Sequence, residues 1–303
     1  MKKELLDIIA RIESQLSELK IKVSSIADPI APAVTQNIVP EVQVDNTDKI
    51  KVLRDFVNNP SWSVAVPPDL ICDETNNEDK MDRARGIRDV FHPNFSYEKK
   101  KILDFGTGYG HLVQAISEKN PDIVVGYDIK DNFQIASNEK QILTTYWSEV
   151  VKKAPYDLIY IYDVIDHAEN ESPQEILKKA KSVLSPSGVI RMRCHPYISR
   201  HGGHTYNKIN KGYAHLILSK DELSQLGHDF KNFPTIFVTT PLMTYGKFIG
   251  EANLRIIDSK TVSEPAETFF LTGNVAERIK SNLNIKQLLI PQMGMQFVDY
   301  TLS

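Results

Sequence analysis

Apolar residues follow two different rhythms along this chain. Near the start they stand at Leu5, Ile9, Ile12, Leu16, Leu19 and Val23, spaced alternately by four and three. That spacing is a heptad seam, with Glu4, Asp7, Arg11 and Glu18 lying off it, and it predicts a coiled-coil helix over residues 1–26. Residues 27–48 lose the periodicity and carry Pro29, Pro32 and Pro40, so they read as an extended linker. From 49 to 303 short apolar runs alternate with helically spaced ones. Ile102–Leu103, Ile123–Val125, Leu158–Ile161 and Val189–Ile190 read as buried strands, and the β-branched and aromatic stretch 140–149 as another. Met81, Ala84, Ile87, Val90 and Phe91 share a helix face, and Ser172 followed by Pro173 opens a second helix that runs to about Leu184. Strict alternation over Gln296–Leu302 predicts a last strand. Strands alternating with helices imply a parallel sheet covered on both faces.

The chemistry concentrates where the first strand ends. Asp104 is followed by Gly106, Thr107, Gly108, Tyr109 and Gly110, and then by a helical pattern beginning at His111. Glycines at such a turn let backbone N–H groups approach a ligand closely. A dinucleotide fingerprint needs its third glycine one place further on, where His111 stands, and a carboxylate at Asp104 would repel a pyrophosphate. Asp104 suits a cationic cofactor instead. Asp128, closing the second strand, is placed to accept the hydroxyls of a ribose.

The segment Asp104–Gly110 together with Asp128 resembles the class I S-adenosylmethionine-dependent methyltransferases. A second block supports the resemblance: the strand from Tyr156, then Asp163, Val164 and His167, a helix, the turn Ser185-Pro-Ser-Gly188 and the strand ending at Cys194. The resemblance implies an α/β fold: a doubly wound, seven-stranded, mostly parallel sheet with an antiparallel last strand, here preceded by the N-terminal coiled-coil helix. It implies S-adenosyl-L-methionine as cofactor, bound by Asp104, Gly106, Thr107, Gly108, Tyr109, Gly110, Asp128, Ile129, Asp163 and Val164. Trp147 or Ser148 would lie near the adenine. The helix ahead of the first strand would help close the cleft; its Arg83, Arg85 and Arg88 read as a solvated face, with contact to an anionic substrate as the alternative.

One segment exceeds the family pattern. Residues from about 195 to 239 form an insertion after the fifth strand, longer than a normal connection. Between His195 and His215 it holds four of the chain's eight histidines, with a glycine pair at Gly202–Gly203. Its position suits a substrate-reading loop. His201 or His204 could act as general base, could belong to a metal site, or could hold the loop in shape; the spacing fits no familiar zinc motif, and no metal is expected. Asp166, just past the fourth strand, is a further candidate for proton transfer, and His167 is read as structural.

Composition narrows the function. A 41% hydrophobic chain of 303 residues can bury a large core, and a formal charge of −3 gives no reason to expect tight nucleic-acid binding. Cys72 and Cys194 make no disulfide framework. Glu4, Asp7 and Glu13 argue against a signal peptide, and no run is long enough to span a membrane, so a cytoplasmic location is expected. The expected activity is methyl transfer to an oxygen or nitrogen of a small molecule, sugar or protein, by a homo-oligomer assembled through residues 1–24. The alternative is a catalytically silent member of the fold, attached to a larger assembly by its N-terminal helix.

Overall fold

The computed structural model describes residues 46–73, 75–263, 273–288 and 290–303. The expected coiled coil over 1–26 lies outside them, as does the linker up to residue 45; its last residues already belong to a helix, α1 (Asn46–Val57). Next come α2 (Asn77–Phe91), β1 (Lys101–Phe105), α3 (His111–Ser117), β2 (Ile123–Tyr127) and β3 (Gln141–Thr144). The chain continues through α4 (Trp147–Lys153), β4 (Tyr156–Tyr162), α5 (Pro173–Ser182) and β5 (Leu184–Cys194). The insertion contributes α6 (Ala214–Ile217) and α7 (Lys220–Gln225), followed by α8 (Pro241–Glu251) and β6 (Ile256–Ser263). Finally α9 (Gly273–Leu283) and α10 (Ile290–Met293) lead into β7 (Met295–Leu302).

The strands form one seven-stranded sheet in the order β3-β2-β1-β4-β5-β7-β6. β3, β2, β1, β4 and β5 pair in parallel, and β7 runs antiparallel to both β5 and β6. Strands covered on both faces should be apolar throughout, and β2 is buried at every position. Strand order reverses between β1 and β4, which opens a crevice above their carboxyl ends. Helix boundaries follow local chemistry. Ser172 caps α5 in a reciprocal pair with Glu175, and Asn253, in the left-handed conformation, stands where the turn into β6 would favour glycine.

Three details depart from the sequence reading. The stretch expected as one strand over 140–149 is a strand only as far as Thr144, whose hydroxyl accepts the N–H of Tyr146; Trp147 then opens α4. On α2, Val90 points to solvent at 76% exposure. The same helix buries Arg88, which donates to the Ala115 carbonyl (2.5 Å) and to Glu118 (2.7 Å), clamping α2 to the end of α3.

A second core lies apart from the one under the sheet. Leu53 of α1, Trp62, Tyr197, Ile198, Leu216 and Ile217 of the insertion, Ile279 of α9 and Met293 of α10 pack together. Polar bonds hold the segments in register: Trp62 Nε1 donates to the Gly212 carbonyl (2.8 Å), and Asn210 exchanges two bonds with the backbone of Val66 (2.9 and 2.8 Å). The insertion is therefore one wall of a built substructure.

Candidate active site

The glycine loop takes its shape from β2. The N–H groups of Gly106 and Thr107 both donate to the Tyr127 carbonyl (2.7 and 3.0 Å), and Gly108 N–H donates to Asp128 Oδ2 (2.9 Å). Asp128 Oδ1 accepts the N–H of Lys130 (3.0 Å), so this carboxylate anchors the loop from the end of β2. Gly106 and Gly108 both have positive φ, at 81° and 56°. A Cβ at Gly106 would lie 2.3 Å from Val164 Cγ2, whereas no atom lies within 4 Å of one at Gly108, where the backbone faces open space.

Asp104 lies beneath that loop at 2% exposure and accepts the Thr107 hydroxyl (2.6 Å). Burial pushes its carboxyl up to about 7; the Thr107 bond opposes the shift and the Asp128 charge adds to it. A bound cation would restore its charge. The cleft above is about 480 Å³, within the range of small-molecule sites, and Asp104, Gly106, Thr107, Gly108, Tyr109, Asp128, Ile129, Asp163 and Val164 line it, whereas Gly110, expected there, packs toward Leu143 instead. Two carboxylates, an open glycine backbone and this volume fit a cationic nucleoside cofactor.

Trp147 and Ser148 do not line the cleft. The Trp147 ring packs against Phe105 (5.6 Å between centroids) and Tyr127 (5.3 Å), because α4 begins at this residue and turns it onto the sheet. Ser148 is exposed on the same helix. Asn132, Glu169 and Glu171, which the sequence reading missed, line the cleft instead.

At the end of β4 the cleft meets a smaller pocket of about 180 Å³. Arg83, Tyr162, Asp163, His204 and Tyr206 line both. Asp163 is held in the left-handed region (φ 57°), and its Oδ1 is buried without a hydrogen-bond partner among the described residues. A non-glycine residue in that conformation stores strain of the kind found at functional sites. The arginines of α2 have separated. Arg83 faces the junction of the two pockets, Arg88 is buried, and Arg85 pairs with Glu78, Asp82 and Glu118 at the surface.

The insertion's histidines gather here. The His195 ring lies 4.2 Å from that of His201 and 4.8 Å from that of His204, and His204 lies 4.9 Å from His167. Gly202 and Gly203 permit this turn. A Cβ at Gly202 would stand 2.2 Å from the Pro196 carbonyl oxygen, and one at Gly203 would stand 2.2 Å from His215 Cβ. Burial holds the imidazoles neutral: His201 falls to about 4, and His195 and His204 fall well below the usual range. His167, expected as structural, lines the cofactor cleft as well. Among the described residues, no group of three or more His, Cys, Asp or Glu side chains is arranged to hold a metal ion.

Asp166 is placed differently from expectation. It is 0% exposed and lines neither pocket. Its Oδ2 accepts the His195 N–H (2.7 Å), its Oδ1 accepts the Tyr245 hydroxyl, and its carbonyl accepts the N–H groups of Thr235 (3.0 Å) and Ile236 (3.1 Å). It thereby ties both ends of the insertion to α8. Burial raises this carboxyl to about 7, against the pull of those bonds.

Residues 80–223 match a family model described as a methyltransferase domain. Among curated proteins, phosphoethanolamine N-methyltransferase of Plasmodium falciparum (isolate 3D7) is 31% identical over 101 residues, which is 31% of this chain and 38% of that enzyme's length. Similar solved structures include a SAM-dependent methyltransferase from Archaeoglobus fulgidus, at 17% identity and a TM-score of 0.47 over 73% of this chain and 93% of that one. Another is the plantazolicin methyltransferase BamL with a triazolic desmethylPZN analog and SAH, at 14% identity and a TM-score of 0.43 over 76% and 85% of the two chains. No helix among the described residues is long and apolar enough to cross a membrane. The methyltransferase-domain match thus lies across a sheet whose strand order reverses beside an acidic glycine loop, and the chain resembles the class I S-adenosylmethionine-dependent methyltransferases.

Proposed function

We propose that the protein transfers a methyl group from S-adenosylmethionine to an oxygen or nitrogen nucleophile of an acceptor seated in the smaller pocket. The single observation that supports this best is the junction of the two pockets at Asp163 and His204, over the carboxyl end of β4. Bound there, the cofactor supplies an electrophilic methyl group. Asp128 and the glycine loop would hold its nucleoside, Asp104 its cationic part, and Ile129, Val164 and Tyr109 the walls around it. His204 would receive the acceptor's proton, since its Nε2 is buried without a partner among the described residues and burial keeps the ring neutral. His201 lines only the smaller pocket and would orient the acceptor, and Asp166 would act as a positioning residue through His195. The Plasmodium relative methylates nitrogen by its name, but the match spans 38% of that enzyme, so its acceptor is not carried over.

Calorimetric titration of S-adenosylmethionine and S-adenosylhomocysteine into the wild type and Asp128→Ala tests the reading. Asp128 makes two charge-assisted bonds to backbone N–H groups, so its loss should weaken binding by roughly tenfold or more. Absence of binding by folded wild-type protein would overturn it.

For the N-terminal segment we propose self-association of residues 1–24 through the heptad seam, with 27–48 as spacer. Sedimentation equilibrium should give the full chain a higher mass state than a chain starting near Asp48; equal states would refute this.

A further inference from the structure

The residues lining the smaller pocket carry buried polar atoms that ordinary packing would not leave unmet. His195 is 2% exposed, and neither of its ring nitrogens has a partner among the described residues. The same holds for His201 Nδ1, His204 Nε2 and Asp163 Oδ1. Each such atom is costly to bury unless something meets it. Water can do so in the resting protein, and an acceptor that displaces the water must replace its hydrogen bonds. A ligand with a single polar group cannot.

Charge then separates the acceptor classes. Arg83, an exposed residue of α2, and Asp163 line both pockets and attract each other electrostatically. A charged ligand there is attracted by one of these groups and repelled by the other. A simple cation gains from Asp163 and loses to Arg83; a simple anion meets the reverse. Neutral imidazoles both donate and accept, which matches hydroxyl groups in either role. Phe297, 4.9 Å from the His195 ring, adds an apolar face on the same wall.

Resting on the methyltransferase reading above, we propose that this pocket takes an uncharged, hydroxyl-rich ring, a sugar unit, and that His204 Nε2 receives the proton of the hydroxyl that is methylated. A lone pair of that hydroxyl forms the new oxygen–methyl bond while the cofactor's sulfur–methyl bond breaks. The sulfur keeps the bonding pair, and the hydroxyl proton passes to the imidazole.

The test uses the full chain saturated with S-adenosylhomocysteine, with binding followed by calorimetry and the histidine rings observed by ¹⁵N NMR. Glucose, mannose, galactose, rhamnose and myo-inositol are titrated one at a time, beside phosphoethanolamine, ethanolamine and inorganic phosphate. The expected result is a saturable shift of the His195 and His204 ring signals with at least one sugar. His204→Gln should keep that binding while methyl transfer falls by roughly a hundredfold or more. Shifts with phosphoethanolamine or phosphate but no sugar, or with none of the probes, would overturn the acceptor class while leaving the methyltransferase reading intact. Failure of S-adenosylhomocysteine to bind overturns that underlying reading instead. The wild-type spectra carry the test should the variant not fold.

Discussion

Asp104→Asn offers the sharpest probe of how the cleft holds a cation. In the free protein the Asp104 carboxyl titrates at about 7, raised by burial. A bound cation favours the carboxylate, so ligand affinity should follow the ionised fraction. Between pH 6 and 7.5 that fraction climbs from about 0.09 to about 0.76, which predicts a rise of roughly eightfold, or about 1.2 kcal/mol, in association. The window ends there because a free α-amino group begins to lose its own proton near 7.7. His167 and His204, which also line the cleft, are pushed down by burial, His204 well below the usual imidazole range. Asp166 titrates near the same pH but lines neither pocket. Calorimetry with S-adenosylmethionine in buffers of different ionisation enthalpy reads both affinity and proton release, and about half a proton should be released at pH 7. Asp104→Asn should bind more weakly, with a flat profile and no such release. A wild-type affinity that changes less than twofold across the window, with no proton released, would refute the reasoning.

Two predictions concern stability. Asp104 and Asp166 both have folded-state values raised to about 7, so the stability they contribute is present at low pH and declines as pH rises through that value. Urea titrations should show the unfolding free energy falling by roughly 1–3 kcal/mol between pH 6 and 8, with about half of that fall removed by Asp104→Asn. Gly202→Ala would set a methyl group 2.2 Å from the Pro196 carbonyl oxygen and 2.6 Å from that of Tyr197, both rigid backbone. It should destabilise by about 1–3 kcal/mol and lower the melting temperature by several degrees in a thermal scan, whereas Gly246→Ala, with no atom within 4 Å, should not.

Where the sequence was legible, the signals were local. The Asp104–Gly110 turn, Asp128, the capped helix at Ser172 and the alternation of β7 each lie within a few residues, so short-range pattern and cap chemistry settle them. Trp147 escaped because β-branched and aromatic residues mark strands by composition, while the turn made by the Thr144 hydroxyl that ends β3 is a single bond. Asp166 and Asp163 look alike in the sequence, both acids just past β4. Only the fold shows one buried under Tyr245 and the other facing the junction of the pockets. Likewise Arg83, Arg85 and Arg88 share a helix, and packing against α3 decides which is buried. Helix α9 was available in principle: Val275, Ala276, Ile279 and Leu283 recur at three- and four-residue intervals.

The second core carries a consequence for the order of events during turnover. Its residues, from Leu53 through Ile217 to Ile279, share none with the clusters that pack the glycine loop and the first four strands. Separate cores have separate free energies of local opening, read as distinct classes of amide exchange. The wall of the smaller pocket can thus loosen while Asp104 and Asp128 stay in place. On the proposed reading, a molecule built this way would release a methylated product and admit the next acceptor without first dismantling the seat of its cofactor, and the exchange-protection pattern of the insertion is where that partition should be visible.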